Sequence, residues 1–404
     1  MPAFRNGTFV SLLPDVTVTR GGIDIHRGIV RAFGPEAGAD GVDLGGALVL
    51  PGLVNAHTHL YSSLAVGMPA PAVAPTNFAE ILERVWWKLD RALDLDTVRL
   101  SALVGGQEAA RSGVTVLFDH HASPNAITGS LKTIDAALDE VGIDGVLCYE
   151  VTDRGGAWQA SEGIAENLAF IRATNGGLIG GHAAFTLSDA TLGHLAGLGR
   201  ELDRGFHIHA AEDVADAGAV ARLDRAGLLG PGTILAHGVH LDDSDLALLK
   251  KRAVWLVHNP RSNMNNAVGY AQRALSYGMV ALGTDGIGCD VLAEARVAFL
   301  QAREAGLPDA WGLPVRLLQG SLWLAEQHMN HRMGAFTVGD AANLVITDYV
   351  PPTPLTADNF AGHLLFGFDR SHIREVYYWD RCVWPAPPIV DPAAAARLWE
   401  RMNG

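Results

Sequence analysis

Between residues 48 and 282 the chain alternates short apolar runs with helix-length patterned segments. Strand candidates begin near Leu48, Val114, Gly145, Leu178, Phe206, Thr233, Val254 and Met279. Among the segments between them, Asn77–Leu93 (NFAEILERVWWKLDRAL) opens with Asn77 and Glu80 at capping-box spacing, and Ser188–Leu202 and Asp243–Arg252 read as helices in the same way. Eight strand–helix units in series are the pattern of an α/β fold of the (β/α)8 TIM-barrel type. A doubly wound sheet is the competitor, but the first strand is not followed by a GxGxxG turn.

The flanks have a different texture. Residues 1–47 carry short β-like pieces such as Thr17–Thr19 and Gly28–Phe33, broken by Gly-Gly and Gly-Pro turns; after Gly334, Ala342–Thr347 (ANLVIT) and Glu375–Tyr378 (EVYY) stand among prolines. Both ends are therefore expected to meet in one small β-sandwich, built from residues 1–47 and 336–404, with the barrel over 48–335 between them. With 404 residues the chain suits a barrel of roughly 250–300 residues plus an appended domain. Its net charge of −14 argues against DNA or a phospholipid surface as partner and leaves a small molecule. Cys148, Cys289 and Cys382 form no CxxC pair, the start MPAFRNGTFVSLLPD lacks the layout of a signal peptide, and no run of about 18 apolar residues exists. These features lead to the expectation of a cytoplasmic protein with no membrane span.

Chemistry-bearing residues gather at the ends of the apolar runs: Leu50–His59 (LPGLVNAHTH), Phe206–Glu212 (FHIHAAE), Thr233–His237 (TILAH), Val257–Asn263 (VHNPRSN) and Val280–Gly286 (VALGTDG). Side chains two apart in a strand share a face, so His57 and His59 can aim two imidazoles at one ion. An HxH pair alone is weak evidence. Its recurrence at His207/His209, with Glu212 three residues on, at the rim where barrel strands meet their loops, is not. Neutral imidazoles with a carboxylate suit Zn²⁺, Fe²⁺ being the alternative. The expected ligands are His57, His59, His209 and Asp285, with one position left for water. His207 lies about 6–7 Å deeper along its strand and reads as a hydrogen-bonded barrel histidine; His240 and His258 are open between the two roles.

A divalent ion lowers the pKa of bound water toward about 7, which supplies hydroxide at neutral pH. Asp285 is placed as the base for that water. A C–N bond breaks only if the departing amine is protonated, so Glu212 is expected to carry the proton, first to a ring nitrogen and then to the leaving NH2. His237 is expected to orient the hydroxide or stabilise the charge of the tetrahedral centre.

Taken together, LPGLVNAHTH, HxxE, AHGVHL, HNPRSN and GTDG resemble the metal-dependent amidohydrolase superfamily, in its ATZ/TRZ-like deaminase and chlorohydrolase branch. Longer stretches, NAHTHLYSSLAVGMPAP, ILERVWWKLDRALDLDTVRLSALVGG, LFDHHASPNAITGSL and GVLCYEVTDR, are similar to the SsnA-type aminohydrolases. The resemblance implies a metal-bearing barrel, a β-sandwich from both termini, hydrolytic deamination or a related reaction, and a homodimer as the assembly. Two positions depart from it: Val66-Gly67 stands where relatives often have Arg-Gly, and Ala342-Asn343-Leu344 where they have Ala-Asp-Leu. Binuclear relatives use a carbamylated lysine at strand four, but the only lysines are Lys88, Lys132, Lys250 and Lys251, and His182 appears there instead. One metal ion is expected.

The remaining strand-end loops should line the pocket. Arg154 offers a planar fork for an oxo group or carboxylate, or else is a rim arginine; His120, His121 and His182 could donate to ring atoms, or else are structural; of Trp86 and Trp87, one belongs in the core and the other, taken as Trp87, over the pocket. Asn259, Ser262 and Asn263 read as shaping the strand-seven loop. The expected function is a mononuclear metal-dependent aminohydrolase acting on an amino-substituted nitrogen heterocycle (purine, pterin, pyrimidine or triazine type) or a cyclic amidine. A chlorohydrolase or a ring-opening hydrolase of cyclic amides or amidines is the alternative; chloride leaves without protonation, so a dedicated acid favours the amine. A non-catalytic barrel used as a binding module would be expected to have lost ligands or the acid.

Overall fold

The computed structural model describes residues 3–329 and 331–403. Strands from both chain ends form one eight-stranded sheet: β1 (Phe4–Ser11), β2 (Thr17–His26), β3 (Ile29–Gly34), β4 (Val42–Asp43) and β5 (Leu48–Pro51) from the N-terminal side, and β14 (Asn343–Thr347), β15 (Ile373–Tyr378) and β16 (Arg381–Trp384) from the C-terminal side. Their order is β16-β15-β14-β5-β1-β2-β3, with β4 beside β1. Side chains alternate between two cores, as the pleat requires. Leu48, Leu50 and Val345 face the main core of the molecule, while Val49, Leu344 and Ile346 join Phe4, Phe9 and Phe336 in a smaller core of the sheet's own. Phe9 meets Phe336 edge to face at 5.3 Å.

Between these flanks run eight parallel strands in sequence order: β6 (Leu53–Thr58), β7 (Val114–His121), β8 (Asp144–Tyr149), β9 (Ile179–Ala183), β10 (Phe206–Ala210), β11 (Ile234–His237), β12 (Trp255–His258) and β13 (Val280–Leu282). They pair as a three-stranded and a five-stranded sheet, joined edge to edge by single parallel bridges, Thr58 to Asp285 and Val151 to Gly181. Parallel neighbours with intervening helices give the TIM-barrel arrangement beside a β-rich domain. The helices take the expected caps: Ser188 accepts from Thr191 N, and Asp242 forms a capping box with Asp245.

Three segments differ from the sequence expectation. Leu48–Pro51, expected to open the barrel, pairs with β1 and β14, and the first of the eight successive parallel strands starts at Leu53. Gly52 separates the two because a side chain there would collide with Asn343 and Thr115. The helix expected over Asn77–Leu93 begins at its Asn77 cap but carries a π turn at Leu82–Trp86, a local widening that swings the following side chains. The last helix, Pro392–Asn403, leaves the sheet and lies against the segments that follow β6, with Trp399 Nε1 donating to Leu64 O at 2.9 Å and Arg401 Nε to Ala92 O at 2.6 Å. Among the described residues no helix is long and apolar enough to cross a membrane, and all three cysteines are unpaired.

Candidate metal centre and active site

His57 lies near the end of β6 and His59 just past it, His209 near the end of β10, and Asp285 after β13, so three strand ends converge on one point. One ligand atom from each of these four buried residues lies within 4.8 Å of the others. His59 Nε2 is 2.9 Å and His57 Nε2 3.3 Å from Asp285 Oδ1, and His209 Nε2 is 3.3 Å from His59 Nε2. The opposite ring nitrogens are already engaged: His59 Nδ1 donates to His120 O at 2.6 Å, and His57 Nδ1 shares a 2.8 Å hydrogen bond with His207 Nε2. These bonds fix the rings and leave Nε2 lone pairs pointing at Asp285. His57 Nε2 is buried without a hydrogen-bond partner.

The electrostatics are those of a cation site. Burial pushes the His57 imidazole down to about 3, with the nearby Asp285 carboxylate opposing, and keeps His209 well below its ordinary value, so both are neutral at neutral pH, the form in which an imidazole can take a metal. Burial also disfavours charge on His59, but the hydrogen bond and charge of Asp285 override it and raise the ring to about 9. A position that draws a proton this strongly draws a metal cation, which would displace it. The donor set therefore fits a divalent ion.

A second convergent group, His59, His120, Glu150 and His209, shares two members with the first. There His59 presents the Nδ1 that already serves His120 O, while Glu150 lies 3.1 Å from His120 Nδ1 and 3.3 Å from His59 Nδ1. Burial opposes charge on Glu150, yet the His120 charge and hydrogen bond, then His182 and His59, hold its carboxyl below the usual range. Glu150 thus stands among the imidazoles of His120, His59 and His182, and the two groups overlap at His59 and His209.

Glu212 and His237 stand beside that position, Oε2 to Nε2 at 3.6 Å. Burial raises the Glu212 carboxyl to about 7, with the His237 charge opposing and Asp285 adding to the rise, so it can give or take a proton near neutral pH. Asn266 donates to Glu212 Oε1 at 3.2 Å, Asn263 Oδ1 is 2.9 Å from His237 Nδ1, and Ser262 donates to Asp285 Oδ2. His237 and Asp285 both have left-handed backbone, φ 76° and 52°, a conformation that costs non-glycine residues about 1–3 kcal/mol and collects at functional sites.

These groups open on a cavity with about 560 Å³ of empty space, mouth included, walled by Tyr61, Phe78, Trp86, Trp87 and Phe185 and reached by His182, Arg154, Asp90 and Asp216. Trp86 and Trp87, at the end of the π turn, both line it; neither is confined to the core. Arg154 lines it as well, but its guanidinium is 2.9 Å from the buried Asp90 carboxylate and 4.5 Å from the Trp87 ring centre. His182 reaches the cavity with Nδ1 bonded to Thr186 Oγ1 at 2.9 Å. His121 does not: it takes the opposite face of β7 from His120, is fully buried, and bonds Ser123 Oγ at 2.8 Å. The parity of the strand, not the residue type, removes it from the pocket. Asp90, Tyr61 and Asn266 belong to the site without having been singled out from the sequence, while Glu150 opens Glu150–Arg154 (EVTDR), one of the strand-end loops expected to line the pocket.

Residues 48–376 match the model of the amidohydrolase family. A 5′-deoxyadenosine deaminase of Methanoregula boonei is 31% identical over 402 residues, covering 89% of this chain and 86% of its own. Among solved structures, an adenosine deaminase from Xanthomonas campestris with bound zinc superposes with a TM-score of 0.79 at 24% identity, over 99% of this chain and 97% of the other. The atrazine chlorohydrolase of Arthrobacter aurescens complexed with zinc also gives 0.79, at 18% identity and full coverage of both (100% and 100%).

Proposed function

The chain belongs to the amidohydrolase family and is a metal-dependent hydrolase of carbon–nitrogen bonds, and from that premise we propose that it deaminates an amino-substituted nitrogen heterocycle or cyclic amidine around a single zinc ion. The observation that carries this reading is the convergence of His57, His59, His209 and Asp285 beside a Glu212 whose carboxyl is raised to about 7. The ion supplies Lewis acidity, lowering the pKa of a water toward neutrality. Asp285 takes the proton of the attacking water. Glu212 gives its proton to the ring nitrogen next to the attacked carbon, takes up the proton that remains on the newly attached oxygen and passes it to the amino group, so that the C–N bond breaks with release of ammonia; the proton held by Asp285 restores Glu212 by way of solvent as the products leave. His237, held by Asn263, faces the oxygen that gains charge as the carbon becomes tetrahedral.

The walls suit a planar ring: Trp86 and Trp87 supply aromatic faces, and His182 supplies a polar edge. A relative named for 5′-deoxyadenosine and a structural neighbour named for adenosine favour a purine-type amine among the candidate rings. The same reading closes the eight parallel strands into a (β/α)8 barrel through the Thr58 and Val151 bridges, with the terminal sheet as a sandwich-like second domain. The test is to incubate the zinc-loaded protein with purines, pterins, pyrimidines, triazines and amidines and to assay ammonia and chloride separately. Ammonia from at least one amino-heterocycle is expected; chloride or ring opening without ammonia would replace this reading with the alternative.

A further inference from the structure

The short helix Pro260–Asn265, with Asn266 at its end, reaches every residue given a proton-handling or charge-stabilising role above. Ser262 Oγ donates to Asp285 Oδ2, and Asn263 serves His237 Nδ1. Asn266 makes the connection between the two carboxylates. One N–H of its amide goes to Glu212 Oε1 at 3.2 Å and the other to Ser262 Oγ at 3.4 Å, whose own hydrogen goes on to Asp285. The amide carbonyl is held in turn by Asn265 Nδ2 at 3.2 Å. The contact with Ser262 sets the direction of the amide: the Ser262 hydrogen is committed to Asp285, so its oxygen can only accept from the Asn266 N–H.

The helix is anchored from its far side. The Arg261 backbone N–H and Nε donate to Glu294 at 3.1 and 2.6 Å, and Arg261 Nη2 donates to Ile287 O at 2.7 Å in the loop after Asp285. Glu294 is wholly buried, as are Ser262 and Asn263, and Asn266 is 5% exposed. Side chains this enclosed lose their rotamer freedom on folding, so the link is pre-organised before substrate enters.

We propose that Asn266 is the positioning residue of the proton-transfer step, fixing the Glu212 carboxylate against His237 and, through Ser262, setting its span from Asp285. The proposal rests on the roles given above to Glu212 and Asp285. A neutral amide does not conduct protons, so the link cannot pass the proton of the attacking water from Asp285 to Glu212. It holds both carboxylates still while the proton moves by way of the reacting atoms. Nothing in this arrangement requires Asn266 to bind substrate, although it lines the cavity.

The experiment compares wild type with Asn266→Leu, which removes both donors at similar volume, and Asn266→Asp, which keeps the shape and reverses the polarity toward Glu212. Wild-type ammonia release tests the deaminase reading; the variant-to-wild-type ratios test this proposal. In both variants kcat should fall about 10–100-fold, with KM within about twofold and one zinc retained, as expected when a catalytic group is misplaced by an ångström or less. The carboxylate stretching band of Glu212, isolated as the infrared difference between wild type and Glu212→Gln, should shift in Asn266→Leu independently of turnover. An unshifted band, an unchanged kcat, a loss confined to KM, or a loss that tracks zinc content would each overturn the proposal.

Discussion

His57 and His207, 150 residues apart in sequence, share a 2.8 Å hydrogen bond through Nδ1 and Nε2, both rings fully buried. His207 is therefore a partner of a proposed ligand. Burial keeps its ring well below the usual histidine range, with the neighbouring histidine charges adding to the drop. His207→Leu should leave the fold intact and weaken zinc about 10–100-fold, the usual cost of losing such support. Competition with a chromophoric chelator measures it; unchanged affinity would show that His57 needs no outer support.

Glu212 is proposed to carry a proton rather than to hold the ion. Glu212→Gln should keep zinc at wild-type stoichiometry while ammonia release falls about 10²–10⁴-fold, the range for loss of a general acid–base group. Elemental content and steady-state rates on the same preparation decide it. Full activity in the variant would remove Glu212 from the reaction.

Arg154 has a structural partner that complicates its use by substrate. Asp90 is 1% exposed, and burial holds its carboxyl above the usual range despite the Arg154 charge. Arg154→Met would strand that carboxylate, at about 3–5 kcal/mol if it stays charged. The double variant Asp90→Asn/Arg154→Met should recover most of that stability in denaturant unfolding. If Arg154 also contacts an oxo or carboxylate group of the substrate, KM stays raised in the stable double variant; a KM restored to wild type would assign Arg154 to the wall alone.

Gly286 follows Asp285 and lies under the Trp86 ring, where a Cβ would come within 2.2 Å of it. Gly286→Ala should push Trp86 into the cavity, raising KM several-fold while zinc is retained. Trp86→Leu combined with Gly286→Ala should relieve the clash, and an identical KM rise in the double variant would argue against this steric account.

Much of this site could be read along the chain, because its donors stand at the ends of apolar runs. His57, His59, His209, Glu212, His237 and Asp285 each follow such a run, so position along a strand carried the information. Contacts between distant segments had no such signal. That Asn266 meets Glu212, or Asp90 meets Arg154, depends on how loops from different strands pack. His120 and His121 could not be told apart, because only the inner face of β7 decides between them. Leu48–Pro51 merged with β6 in the sequence because LVLPGLV is one apolar stretch, and the break at Gly52 is imposed by Asn343 from the other end of the chain. The π turn before Trp87 left no mark in the helical pattern of 77–93.

In the proposed reaction one ion, held by His57, His59, His209 and Asp285, supports the hydrolysis. Chelated protein titrated with zinc, with ammonia release followed on the best amino-heterocycle, tests it most directly. Activity should rise linearly and saturate at one zinc per chain, and Asp285→Asn should lose both the activity and the tight binding. Activity that survives chelation, or that needs a second equivalent of zinc, would show that the hydrolysis does not depend on a single ion at these residues.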